Sequence, residues 1–123
     1  MDRPKPTILV VEDDTVSFKL IEASLKTSHL TILHANNGAQ AIDYFNTNKD
    51  IKLVLLDIQL PGVNGYEVLS HIRKVNPSLP VIAQTAYSMS DDKEKCIEAG
   101  CDEYISKPIS IHKLRELVRK YLD

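Results

Sequence analysis

Cysteine is scarce in this 123-residue chain: Cys96 and Cys101 stand alone, without CxxC spacing or a paired histidine cluster. That argues against a disulfide scaffold or a thiolate metal site, and leaves two small hydrophobes of a reducing, cytoplasmic compartment as the expectation. The four histidines are scattered and none recurs at i,i+4, so no zinc site is indicated. Excess charge of one sign is lacking too. A net charge of −2 gives no electrostatic footprint for nucleic acid or an anionic membrane. Apolar runs stay far short of a bilayer span, and no apolar leader opens the chain, so no membrane contact is expected. Internal repeats and low-complexity tracts are absent as well. What remains is ordinary for a soluble single domain: 43% hydrophobic and 26% charged residues.

Lys52-Leu53-Val54-Leu55-Leu56-Asp57 is a continuous apolar run that ends in a carboxylate. Such a run reads as a strand buried on both faces, as in a parallel sheet. The loop Ile58-Gln59-Leu60-Pro61-Gly62-Val63-Asn64-Gly65 follows at once, and regular structure cannot continue through it. Taken alone, Asp57 is open to three readings: nucleophile, metal ligand or helix cap.

The same alternation recurs along the chain. Thr7 to Val11 is a second apolar strand ending in Glu12-Asp13-Asp14, and Phe18, Ile21 and Leu25 then follow helical spacing to about Thr27. Asp14 is placed as that helix's N-cap, with an acidic first turn suited to the helix dipole. Thr31–Ala35 reads as a strand, Asn36-Asn37-Gly38 as a turn, and residues 39–45 as a helix. A helix after Gly65 ends before Asn76-Pro77, and Pro80 to Gln84 is a strand closed by Thr85-Ala86. Ser90-Asp91-Asp92 starts a helix that Gly100 terminates, Asp102 to Ser106 is a fifth strand, and Ser110 caps a last helix. Five β-α units call for a parallel sheet with helices on both faces.

In such a sheet the strands' carboxyl ends share one edge, where ligands bind. Glu12-Asp13, Asp57, Thr85 and Lys107 all fall there. Three carboxylates so close repel one another unless a cation neutralises them, and Mg2+ suits oxygen ligands with several waters. Lys107 offers a point charge for phosphate oxygens, and Thr85 offers a hydroxyl donor. The set fits phosphoryl transfer to Asp57. Asp13 is expected as a direct metal ligand beside Asp57, Glu12 as a ligand through water, and Gln59 through its backbone carbonyl.

With those residues in order, the chain resembles the receiver (response-regulator) domain of two-component signalling, from about Thr7 to Leu122. The resemblance is carried by Ile8-Leu9-Val10-Val11-Glu12-Asp13, by Leu56-Asp57 through Gly65, by Thr85-Ala86, and by Tyr104-Ile105-Ser106-Lys107-Pro108. It implies a flavodoxin-like (βα)5 three-layer sandwich of strand order 2-1-3-4-5. It also implies a phosphoacceptor at Asp57, a conformational switch through Thr85 and Tyr104, and a cis bond between Lys107 and Pro108. Phosphohistidine on a histidine kinase or histidine phosphotransfer protein is the implied donor. Gln59 departs from the family's usual methionine, and Glu12 is one of two acids common in its place.

Several expectations accompany that resemblance. Residues 1–6 read as a linker and 7–123 as the receiver domain, either stand-alone or part of a hybrid histidine kinase, with the proline-bearing lead favouring the latter. The domain is expected to catalyse its own modification and to turn over no external metabolite. Tyr87 is expected to shield the acyl phosphate from hydrolytic water. A Mg-dependent phosphohydrolase with an Asp nucleophile is the alternative, disfavoured because Gln59 stands where a leaving-group acid is needed. A flavin carrier on the same fold is disfavoured because Glu12-Asp13-Asp14 would repel phosphate.

Overall fold

Each apolar run became a strand, and the computed structural model describes residues 5–26, 29–60, 62–85 and 90–122, without the side chains of residues 90–92. The elements alternate from β1 (Thr7–Val11), α1 (Thr15–Leu25), β2 (Thr31–Ala35) and α2 (Gly38–Thr47) to β3 (Ile51–Asp57) and α3 (Gly65–Val75). The chain continues as β4 (Val81–Thr85), α4 (Ser90–Ala99), β5 (Glu103–Ser106) and α5 (Ile111–Leu122). All four strand pairings are parallel, in the order β2-β1-β3-β4-β5. This is the flavodoxin-like three-layer arrangement.

Side chains alternate across the sheet, so each strand feeds two separate cores. Ile8, Val10, Leu53, Leu55, Ile82 and Ile105 meet Ile21 and Leu25 of α1 and Leu114 and Val118 of α5. Leu9, Val11, Val54, Leu56, Val81 and Ala83 meet α2 through Phe45, α3 through Leu69 and Ile72, and α4 through Cys96. β1, β3 and β4 are therefore apolar on both faces, which is why they read as continuous runs rather than alternating ones.

Local chemistry fixes the helix ends. Asp14 caps α1, its carboxylate accepting from the Ser17 N–H at 3.1 Å and the Ser17 hydroxyl at 2.6 Å. The acids stop at that cap, so the expected acidic first turn is not found: no acid lies in α1's first turn. Gly100, at φ 113°, closes α4 in a Schellman motif, its N–H donating to Ile97 and that of Cys101 to Cys96. Ser110 caps α5, its hydroxyl accepting from the Lys113 N–H at 3.3 Å.

Among the boundaries that differ from the sequence reading, two have a visible cause. Gly38 belongs to α2 rather than to the turn before it, and a Cβ there would meet the Val63 carbonyl oxygen, so the β3–α3 loop rests on its bare backbone. Asp102 precedes β5 instead of starting it, because its carboxylate takes the Val81 N–H at 2.9 Å and the Arg73 guanidinium at 2.8 Å. The same Arg73 donates to the carbonyls of Gly100 at 2.7 Å and Leu79 at 2.6 Å, tying the end of α3 to the end of α4.

The Tyr87 shield, Pro61 and Ala86 lie outside the described residues, as do the side chains of Ser90, Asp91 and Asp92. Among the described residues, no helix is long and apolar enough to cross a membrane.

Candidate functional site

β1 and β3 are neighbours with Val11 beside Leu56, so the residues that follow, Glu12 and Asp57, emerge side by side at the carboxyl edge. Glu12, Asp13 and Asp57 bring carboxylate oxygens within 4.8 Å of one another. Glu12 and Asp57 are almost wholly buried, at 0% and 2% exposure, while Asp13 is open to solvent. Just beyond β5, before the cis Lys107–Pro108 peptide, Lys107 reaches across with its ammonium 2.8 Å from Asp57 Oδ2 and 3.0 Å from Glu12 Oε1.

One ammonium among three carboxylates leaves a net charge of −2 in a mostly buried space. Burial alone would pull the Lys107 ammonium's pKa down, but its bonds to Asp57 and Glu12 and their charges outweigh that and raise it. For Glu12 the balance goes the other way. Burial pushes its carboxyl above the ordinary range, against the lowering effects of the Asp14 N–H and Lys107. Two hard oxygen donors at the floor, a third at the rim and uncompensated negative charge fit a divalent cation.

Asp57 is held at both oxygens. The Gln59 backbone N–H donates to Oδ1 at 2.8 Å, and Lys107 holds Oδ2. Gln59 itself is exposed. The loop that makes the Gln59 contact is packed tightly: a Cβ on Gly65 would lie 2.5 Å from Ile58 Cα and 2.7 Å from the Asp57 carbonyl oxygen.

Thr85 is buried at the end of β4, one residue beyond the Asp57–Gln84 pair, and its carbonyl accepts the Lys107 N–H at 2.8 Å. It also lines a cavity of about 290 Å³ with Ile58, Gln59, Asn64 and Tyr66. Tyr104, beside Ala83 in the sheet, is half-buried and packs on the α3–α4 core. Thr85 and Tyr104 thus share one sheet face, while Glu12, Asp57 and Gln84 continue the alternation of the other.

Sequence reading missed three supports of Glu12. Its Oε2 accepts the Asp14 N–H at 3.1 Å, and its Oε1 accepts the Gln84 amide at 3.3 Å. The His34 ring, stacked on Phe18 with centroids 3.6 Å apart, donates from Nε2 to the Glu12 carbonyl at 2.8 Å. Gln84 left a readable signal: a polar residue within a strand buried on both faces must find a partner. His34 left none, because its partner is a backbone atom of a neighbouring strand.

Comparison with known proteins agrees with this geometry. The family described as "Response regulator receiver domain" matches residues 8–119. The polar-differentiation response regulator DivK of Brucella anthropi is 36% identical over 118 residues, spanning 94% of this chain and 95% of that protein. A cyclic di-GMP phosphodiesterase of Thermotoga maritima is 37% identical over 109 residues, covering 89% of this chain but only 29% of that protein. A solved structure of the Saccharomyces cerevisiae histidine phosphotransfer signaling protein Ypd1 with the receiver domain of its downstream response regulator Ssk1 is similar at TM-score 0.88. That match has 25% identity and covers 96% of this chain and 89% of that one.

Proposed function

Because this chain belongs to the response regulator receiver domain family of two-component signalling, we propose that its reaction is the transfer of a phosphoryl group from phosphohistidine to Asp57. The observation that carries this reading is the contact set of Asp57, a buried carboxylate 2.8 Å from Lys107 within a three-carboxylate cluster.

In the reaction, an Asp57 oxygen attacks phosphorus, the histidine N–P bond breaks, and the imidazole leaves with its electron pair. The Gln59 N–H and Lys107 hold Asp57 at both oxygens and restrict how the carboxylate can turn. Lys107 also supplies a positive charge to the incoming phosphoryl oxygens. Thr85, through its hydroxyl, donates to a phosphoryl oxygen and is the catalytic partner of Asp57 and Lys107. Asp13, Asp57 and the Gln59 backbone carbonyl would hold Mg2+ directly and Glu12 through water, and the bound ion would supply charge neutralisation to the transferring group. The fit of that ion rests on the net negative charge of the cluster and its oxygen-only donors.

The product carries a nearly doubly charged group with strong acceptor oxygens. Thr85 turns toward it and Tyr104 turns inward, shifting the population between two packings of the α4–β5–α5 surface. The partner is a histidine kinase or a histidine phosphotransfer protein, a class to which the partner in the yeast complex belongs. Residues 7–123 form the receiver and residues 1–6 a linker, in a stand-alone regulator or a hybrid histidine kinase. The domain catalyses its own phosphorylation and turns over no external metabolite. The same reading sets it in the cytoplasm, where two buried free thiols, Cys96 and Cys101, persist.

Labelling by a small acyl-phosphate donor with Mg2+ tests the assignment. Asp57→Asn is expected to abolish incorporation, and retained incorporation would move the acceptor elsewhere.

A further inference from the structure

Gln84 stands in the middle of the sheet at 0% exposure, in a strand whose other residues up to it, Val81 to Ala83, are apolar. Its amide nitrogen donates to Glu12 Oε1 at 3.3 Å. Its Oε1, among the described residues, is the buried side-chain polar atom left with no hydrogen-bond partner. A leucine or methionine would fill the same space without burying an unpaired oxygen, so packing alone does not account for an amide here.

We propose that Gln84 is a positioning residue of the acidic site, holding the Glu12 carboxylate in place for a divalent cation. The proposal rests on the reading that Glu12, Asp13 and Asp57 bind Mg2+. Three features of the geometry carry it.

The amide is a neutral side-chain donor to the Glu12 carboxylate. Lys107 also touches both Glu12 oxygens, at 3.0 and 3.3 Å, but it is shared with Asp57 and brings a charge that competes with a cation. An amide restrains Glu12 and leaves the negative charge of the cluster intact. The orientation of the amide also follows from this role, since turning it over would set its oxygen against a carboxylate oxygen.

Gln84 is, in addition, tied to the acceptor strand by its backbone. Its Cα pairs with Asp57, and its carbonyl accepts the Ile58 N–H at 3.0 Å. One residue therefore fixes the start of the acceptor loop through its main chain and Glu12 through its side chain. This sets the spacing of the two buried carboxylates, on which the fit of a small ion with strict octahedral geometry depends.

The test is Mg2+ binding to the full chain by calorimetry, with no phosphodonor present. Gln84→Met removes the donor and the unpaired oxygen together at nearly constant volume. The Mg2+ dissociation constant is expected to rise about tenfold, the scale of one hydrogen bond to a charged group. Half-maximal labelling should need correspondingly more Mg2+, while the thermal midpoint in EDTA should not fall. In a Glu12→Gln background the same substitution should cause no further weakening, because Gln84 acts through Glu12. Should Gln84→Met fold poorly, Gln84→Leu carries the same expectations. A dissociation constant within twofold of wild type overturns the proposal, whatever the thermal midpoint does. So does a tenfold loss that persists without Glu12. If the wild-type chain itself binds no Mg2+, the cation reading fails as a whole. Binding by wild type with equal binding by Gln84→Met sinks the positioning role alone.

Discussion

Replacing Lys107 with methionine keeps the aliphatic stem and removes the ammonium from among the three carboxylates. In the metal-free protein the two buried acids, Glu12 and Asp57, then face each other with no compensating charge. At 4.8 Å, the outer limit of their separation, two unit charges repel by about 3.5 kcal/mol at an effective dielectric near 20. That repulsion drives the Glu12 carboxyl further above the ordinary carboxylate range. Burial already pushes Glu12 the same way. A carboxyl whose pKa is raised by folding binds more protons folded than unfolded between its unfolded and folded values. Stability is therefore intact below about 4.5 and is lost as pH climbs through the folded-state value. Urea unfolding in EDTA should show Lys107→Met less stable than wild type by about 3 kcal/mol at pH 8, and by only about 1.5 kcal/mol at pH 5.5, about one unit above the unfolded carboxyl value. Millimolar Mg2+ at pH 8 should recover more than half of the deficit, because it binds only the folded cluster. An equal deficit at both pH values, untouched by Mg2+, would refute the electrostatic account and assign Lys107 to packing.

Glu103 lies below its usual range because of its bonds to Lys120 and Tyr121, so it stabilises the fold above the unfolded value near 4.5 and loses that contribution on acidification. Glu103→Gln should flatten the fall in thermal midpoint between pH 6 and pH 3, and by under about 1 kcal/mol because Lys120 is exposed. Gly65→Ala must displace the Asp57–Ile58 backbone, and should cost about 2 kcal/mol in urea unfolding together with most of the phosphoryl labelling. Cys101 is buried and its thiol is pushed up to about 12, chiefly by burial, so it should resist maleimide at pH 8 in the native protein and react promptly in urea.

The sheet was legible because β1, β3 and β4, buried on both faces, leave uninterrupted apolar runs, and each of the three ends in a turn or a polar cluster. The site was legible for the same reason: a parallel sheet gathers strand ends, so Glu12, Asp13, Asp57 and Lys107 could be placed together before any distance was known. Contacts that cross the sheet were not legible. Gln84 and His34 hold Glu12 over separations of 72 and 22 residues; the amide inside an apolar strand signals that Gln84 needs a partner, but no local pattern says which. Element ends moved wherever a side chain found a better partner than the ladder, as Asp102 did with Arg73 and the Val81 N–H.

The Schellman closure of α4 and the grip of Arg73 on the Gly100 carbonyl act at the same point. They make that end of the helix a fulcrum. Ten residues at 1.5 Å each give a lever arm of about 15 Å running back toward the end of β4. A tilt of about 10° about the pinned end moves Ser90 by about 2.5 Å and leaves Gly100 where it is. A displacement at the start of α4 would thus fade along the helix as a gradient, vanishing at Arg73. Loosening the fulcrum would let the helix slide rather than pivot, and the same input would reach a different part of the surface.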